Sequence, residues 1–179
     1  MTRGGPRELE RLAGLAAARA TSALGQLAGC RLAAREPRPG RILSGGFGPW
    51  ETGLFVEVGG ALSGVVGLLL SPGARPALTK ALLRDGDEVG DRAESALREL
   101  GNIVASQAIS ALADELGRRL LPSVPILASR GAEAALAALV RRRGAPPGGE
   151  RIECLLEDRA SGLRVLLVLA LDGAPDGGV

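Results

Sequence analysis

The sequence DRAESALRELGNIVASQAISALADELGRRLLPSVP, residues 91–125, decides the fold. At about 3.6 residues per turn its apolar residues fall on one side, which predicts a helix that packs on a core. The predicted core-facing residues are Leu97, Leu100, Val104, Ala108, Ala111 and Leu112. The opposite side carries Ser95, Glu99, Asn102 and Ser106. Because residues three apart are neighbours on a helix, the Glu99 carboxylate and the Asn102 carboxamide are predicted to project side by side, away from the core.

The composition predicts a globular domain and argues against several classes of function. Hydrophobic residues make up 46% of the 179 residues, which is enough for a sizeable core. Aromatic residues make up only 2%, so the stacking platforms that bind single-stranded nucleic acid are missing. With a net charge of +2, nucleic acid is not an expected partner. The absence of His removes the usual general base and the usual metal ligand, and no metal site is predicted.

The chain is expected to be cytoplasmic. Its first residues, MTRGGPRELERLAG, mix acids and bases before any apolar run, which is unlike a secretory signal. The longest apolar runs, residues 64–70 and 163–171, are too short to span a membrane. Cys30 and Cys154 lack the CxxC spacing of redox or metal sites and are interpreted as reduced core cysteines.

Outside the 91–125 stretch, the sequence predicts further helices and two hairpins. Helical periodicity extends over residues 7–29, 75–84 and 130–143. Alternating or continuous apolar runs bounded by turn residues predict one hairpin from residues 54–58 and 64–70, and another from 150–157 and 163–171. A short strand is predicted around Ile126 and Leu127, and residues 173–179 are expected to form a loose tail.

The two parts of the chain repeat each other. A shift of 88 residues aligns Leu9 with Leu97, Gly29 with Gly117, and Pro37 with Pro125, and a later alignment places Ser63-Gly64 on Ser161-Gly162. We therefore predict one domain over residues 1–179, with internal halves at about 7–84 and 91–172, each a helix plus a hairpin. The expected fold class is α+β, with pseudo-twofold duplicated halves and an antiparallel sheet that carries two long helices packed on one face.

The outward polar pair is present in one half only. In the repeat alignment Glu99 falls opposite Arg11, and Asn102 falls opposite Gly14. The packing positions are shared by the two halves, whereas the outward pair is not. This asymmetry indicates that the pair serves something other than folding, and it predicts a single site.

These residues resemble a known family signature. The pattern of Ser95, Glu99, Asn102 and Pro125, with three, two and twenty-two residues between them, is similar to that of the CheC, CheX and FliY family of chemotaxis phosphatases. The segment ELGNI at residues 99–103 looks like the EIGNI or EVGNI core of that family, and ALADELGRRLLPSVP resembles its segment ending in PSxP. The duplicated architecture is also similar, so the resemblance covers most of the chain.

The resemblance implies that the protein removes the phosphoryl group from the phosphoaspartate of a CheY-like receiver in chemotaxis or two-component signalling. It implies that Asn102 orients the attacking water and that Glu99 pairs with a receiver lysine, with Ser95 and Ser106 in supporting surface roles at most. The receiver would supply its own Mg²⁺ and Lys, so no cofactor is expected in this chain.

Other interpretations of the same sequence stay open. Glu99 and Asn102 are also typical of solvated polar residues on an outward helix face. A hydrolase that uses Asp91, Glu94 or Glu99 as paired carboxylates would lack a partner His or metal set, and the Gly-rich residues 44–49 lack the G-K-[ST] of a phosphate-binding loop. The alternative from a different class is a non-catalytic binding module for a receiver, a CheD-like deamidase or a flagellar-switch component. A homodimer through a hairpin edge is also compatible with the sequence.

Overall fold

The computed structural model describes residues 6–40, 48–83, 90–144 and 151–172. The helices in these residues are α1 (Pro6–Ala28), α2 (Ala74–Leu82), α3 (Asp91–Leu116) and α4 (Ala132–Arg142). The strands are β1 (Ala33–Ala34), β2 (Arg38–Pro39), β3 (Thr52–Gly60), β4 (Gly64–Leu70), β5 (Leu120–Pro122), β6 (Ile126–Ala128), β7 (Arg151–Asp158) and β8 (Leu163–Leu171). The predicted tail at 173–179 and most of the Gly-rich residues 44–49 lie outside the described residues.

The described strands form one antiparallel sheet in the order β1-β7-β8-β4-β3-β5, with β2 also on β7 and β6 also on β3. At its centre β4 pairs with β8, which joins the β3-β4 and β7-β8 hairpins. Each hairpin is extended by short strands from the other part of the chain, because β5 and β6 pair with β3, and β1 and β2 pair with β7. Both predicted hairpins are therefore present, and the two parts of the chain are interleaved in one sheet.

The two long helices pack together on one face of this sheet. Their buried side chains share one core cluster with the inward residues of the central strands, including Leu12, Leu97, Leu68 and Leu167. The opposite face carries a smaller cluster, in which α4 packs over Phe55. The predicted fold class, α+β with two long helices on one face of an antiparallel sheet, is confirmed. The core-facing stripe predicted for α3 is buried throughout.

Both long helices end in the same way. Gly29 follows α1 with φ 66°, and Gly117 follows α3 with φ 59°, in the left-handed region where a side chain is unfavourable. These two glycines are aligned in the repeat. At the other end of α3 Asp91 does not cap the helix, because Gly90 is the N-cap and no side chain of the described residues caps it. Asp91 is instead the first helical residue, where its carboxylate interacts favourably with the helix dipole.

The predicted alignment of Ser63-Gly64 with Ser161-Gly162 differs by one residue from the correspondence of the two hairpins in the structure. Aligning Gly64 with Gly162 also aligns Val66 with Arg164. Val66 belongs to the core under the long helices, whereas the Arg164 guanidinium lies 5.7 Å from the centre of the Trp50 ring, and Trp50 belongs to the cluster on the opposite face. Since successive side chains of a strand alternate between faces, the hairpins correspond only after a shift of one residue.

Both cysteines are free; Cys154 is buried and Cys30 is partly exposed. Cys154 is buried and donates its thiol to the Arg35 carbonyl, and burial raises the pKa of Cys154 to about 11. Burial, together with nearby Asp158, also raises the pKa of Cys30. Because the thiolate is the nucleophile, the raised pKa makes the buried Cys154 thiol unreactive near neutral pH.

We therefore expect an aromatic disulfide reagent to leave Cys154 unmodified in the folded protein and to modify it rapidly in urea. The release of thiolate from the reagent, followed by absorbance, measures both rates. Modification of both thiols at the unfolded rate without denaturant would contradict this expectation.

Candidate functional site

Helix α3 lies unusually close to the sheet at the centre of the candidate site. A Cβ atom on Gly101 would lie 3.0 Å from Leu54 Cβ and 3.2 Å from both of its δ carbons. Leu54 is buried in β3, which is paired with β4 on one side and with β6 on the other. Because Gly101 has no side chain, α3 can approach the sheet this closely. Asn102 is the next residue, so this contact also sets its position.

The four predicted site residues lie along the outer side of α3. We call them the outer stripe: Ser95, Glu99, Asn102 and Ser106. Ser95 and Glu99 are exposed, and the other two are partly exposed. Helix geometry places the Cβ atoms of Glu99 and Asn102 about 5–6 Å apart. The outer stripe as a whole extends over about 16 Å, at about 1.5 Å of rise per residue.

Glu99 and Asn102 have no partner within the described part of the chain. Neither side chain takes part in a hydrogen bond or an ion pair there. A carboxylate only accepts hydrogen bonds, whereas a carboxamide both donates and accepts. Together the two side chains can accept a cation and orient a water molecule at one place on the surface.

Glu94, one turn before the pair, is in contrast fully engaged. Its carboxylate accepts a hydrogen bond from Ser129 Oγ at 2.9 Å and one from Arg98 Nη2 at 3.1 Å. Arg75 Nη2 lies 3.9 Å from the same carboxylate, and Arg75 also donates to the Ser129 carbonyl at 3.2 Å. This Glu94 network (Glu94, Arg98, Arg75 and Ser129) ties the start of α3 to α2 and to the residues after β6.

Sequence reasoning missed the Glu94 network. The spacing of Glu94 and Arg98, four residues apart, is the local signal that could have indicated their pairing. Arg75 and Ser129 come from other elements, and their approach depends on the sheet register that brings β6 to β3.

Pro125, the last residue of the signature, lies in the segment between β5 and β6. Neighbouring Ser123 donates its backbone N–H to the Glu57 carbonyl at 2.8 Å, and its Oγ accepts the Glu57 N–H at 3.0 Å. These bonds fix the segment to β3, the strand whose Leu54 lies under Gly101. The helix part and the proline part of the signature are therefore held by one strand.

The corresponding surface of α1 is built differently. Arg11, opposite Glu99 in the repeat, is ion-paired with Glu115 of α3 and lies 3.8 Å from Glu8. Gly14, opposite Asn102, has no side chain to offer. The α1 surface thus uses its charged residue to join the two helices, and it presents no free carboxylate and carboxamide pair.

The paired-carboxylate interpretation finds no support in the geometry. Glu94 is held by two arginines and a serine, while Glu99 has no partner among the described residues. Among the described residues no group of three or more His, Cys, Asp or Glu side chains comes together to hold a metal ion. In the same residues no helix is long and apolar enough to cross a bilayer.

Comparison with known proteins supports the family resemblance. The model of the CheC-like family matches residues 93–128, which contain α3 and the segment up to β6. No curated protein matches the sequence.

Solved structures show the same fold at low sequence identity. The chemotaxis protein CheX from Desulfovibrio desulfuricans is 17% identical, with a TM-score of 0.67, over 90% of this chain and 99% of that one. CheX in a CheX–CheY–BeF3–Mg complex from Borrelia burgdorferi is 14% identical, with a TM-score of 0.65, over 88% and 96%. FliY from Thermotoga maritima is 17% identical, with a TM-score of 0.65, over 93% and 91%. The resemblance to CheC, CheX and FliY proteins is confirmed by the helix match and by the fold.

Proposed function

We propose that this chain, whose central helix is CheC-like and whose fold is that of CheX, is an aspartyl-phosphate phosphatase. Its substrate would be the phosphoaspartate of a CheY-like receiver. Asn102 would place the attacking water in line with the phosphorus, and Glu99 would pair with a receiver lysine. Ser95 and Ser106 would line the docking surface, and the reaction would take place in the cytoplasm.

The observation that carries this proposal is the Glu99 and Asn102 pair on a helix that is packed closely on the sheet. The pair has the family spacing, and neither side chain has a partner in the part of the chain that the structure describes. Phosphoryl transfer depends on positioning and on charge stabilisation more than on covalent chemistry from the catalyst. A carboxamide on a rigid helix can position water while the receiver supplies Mg²⁺ and Lys. The chain would therefore need neither His nor a metal of its own. The CheX in the Borrelia structure is bound to CheY, which supports a receiver as the partner class.

The proposal includes one active site rather than two. Arg11 and Gly14 occupy the matching positions of α1, and the Arg11 guanidinium is already paired with Glu115. A receiver lysine approaching α1 would meet a cation there instead of a free carboxylate.

The direct test is the decay of a phosphorylated receiver. A CheY-like receiver encoded near this gene is labelled with a small phosphodonor, and its dephosphorylation is followed with and without this protein. We expect faster decay that saturates with protein concentration. An unchanged decay rate at saturating protein, with binding demonstrated, would contradict the phosphatase proposal.

Replacing Glu99 with Ala is expected to weaken docking and to leave the maximal rate nearly unchanged. An exposed ion pair contributes up to about 1 kcal/mol, so the concentration of receiver at half-maximal rate should rise up to about fivefold. Steady-state kinetics with phosphorylated receiver measure both quantities. Glu99→Gln should behave like Glu99→Ala, since the charge is the property that matters. A fall in the maximal rate with unchanged half-saturation would assign Glu99 to the chemical step instead.

The second candidate function is a non-catalytic binding module for a receiver, a CheD-like deamidase or a flagellar-switch component. The likeness to CheX and FliY at 14–17% identity shows the fold and not the activity, so a role in binding alone is compatible with it. In that case Glu99→Ala would still reduce binding, but Asn102→Ala would change nothing. A homodimer through the sheet would have to form at the short strands, because β5 and β6 cover one hairpin edge and β1 and β2 cover the other. Light scattering of the purified protein tests for it.

A further inference from the structure

The basic residue next to Glu99 in sequence is held away from the docking surface. Arg98 lies four residues after Glu94 and four residues before Asn102, so helix geometry allows its long side chain to approach either one. In the structure its guanidinium is 3.1 Å from Glu94 Oε2, and nearly half of the Arg98 side chain is exposed. Helical side chains lean toward the N-terminus, which favours this arrangement.

Glu94 is well placed to hold Arg98 because Glu94 itself is fixed. Ser129 Oγ donates to its other oxygen at 2.9 Å, and Arg75 lies 3.9 Å from that oxygen. These contacts come from α2 and from the segment after β6, and they make the Glu94 carboxylate a fixed anion beside the outer stripe. A fixed anion can neutralise Arg98 without a rearrangement of α3.

We propose that Glu94 is a positioning residue for receiver docking, which holds Arg98 back so that Glu99 meets its partner as a free carboxylate. This inference rests on the proposed function, in which Glu99 receives a lysine. Without Glu94, Arg98 would lose its anionic partner and would place its charge beside Glu99 and Asn102. That charge would repel the same lysine. Charges at the rim of an interface act mainly on the rate and salt dependence of association. Loss of Glu94 is therefore expected to raise the half-saturation concentration rather than to lower the maximal rate.

The test is a set of variants assayed with phosphorylated receiver at low and moderate salt. Glu94→Gln keeps the size of the side chain and is expected to raise the half-saturation concentration about three- to tenfold at low salt, with the maximal rate within about twofold of wild type. The effect should shrink as salt screens it. Arg98→Gln alone should not raise the half-saturation concentration. The double variant with Glu94→Gln and Arg98→Gln should have a half-saturation concentration within about twofold of wild type.

Glu115→Gln is the matched control, since it removes an ion-paired carboxylate from the far end of the same helix. It should leave both kinetic quantities unchanged. If the double variant stays as weak as Glu94→Gln, Glu94 acts only by anchoring α3 and the inference is overturned. If wild type accelerates decay and Glu94→Gln has the same half-saturation concentration as wild type, the inference also fails while the proposed function stands. If wild type neither binds nor dephosphorylates the receiver, both are contradicted.

Discussion

Asn102→Ala is expected to abolish the acceleration of receiver dephosphorylation while the protein stays folded and bound. The carboxamide is partly exposed and has no partner within the described residues, so its removal breaks no contact there that holds the fold. Losing the group that orients the attacking water should cost about a hundredfold or more in the catalysed rate. Decay of phosphorylated receiver at saturating protein measures the rate. Titration with a beryllofluoride-activated receiver measures binding, which should change less than about threefold.

Gln107→Ala is the matched control for this experiment. Gln107 is an exposed carboxamide on the same helix, but it lies beside the outer stripe rather than on it. Its removal should leave both rate and binding unchanged. If Asn102→Ala and Gln107→Ala have equal effects, Asn102 has no special role, and the binding-module function becomes the better explanation. If Asn102→Ala abolishes binding as well, it contributes to docking and the separate roles of Asn102 and Glu99 are wrong.

Much of the fold follows from local patterns. The apolar stripe of α3 is buried as its periodicity predicts, and both hairpins form where apolar runs are bounded by turn residues. Short-range signals of this kind work because a helix with one buried face needs apolar residues at helical spacing, and a strand buried on both faces needs a continuous apolar run. The exposure of Glu99 follows from the same reasoning, since it lies opposite the stripe.

What the sequence did not predict depends on contacts between distant elements. Strand β5 begins four residues after the end of α3, within the 91–125 stretch whose apolar pattern predicts a helix, yet Leu120 pairs with Gly60 of β3. The Glu94 network joins α3, α2 and the segment after β6, and no local spacing brings Ser129 to Glu94. The repeat alignment also did not predict which face of the sheet each strand residue lies on. Shifting the alignment of the hairpins by one residue moves the partner of Val66 from one face of the sheet to the other.

Gly101→Val is expected to destabilise the protein and to reduce activity together. The new Cβ would lie 3.0 Å from Leu54 Cβ, and two further methyl groups would need space that the buried interface does not offer. Leu54 cannot retreat, because β3 is paired on both sides. Overpacking of this kind costs about 1–3 kcal/mol, which exceeds the few tenths gained by removing Gly from a helix interior. Urea unfolding should therefore show a loss of about 2 kcal/mol.

The same substitution links packing to function, because lifting α3 from the sheet also moves Asn102. A displacement of about 1 Å at a positioning group can cost about a hundredfold in rate, so decay of phosphorylated receiver should slow even where the protein is folded. Ser110→Val, on the exposed side of the same helix, introduces the same side chain without the clash and should change neither quantity. Leu54→Ala makes room beneath position 101. The combined Gly101→Val and Leu54→Ala variant should lose at least about 1 kcal/mol less than the sum of the two single losses. Strictly additive losses would show that Leu54 is not the group that Gly101 accommodates, and the close approach of helix and sheet would need another explanation.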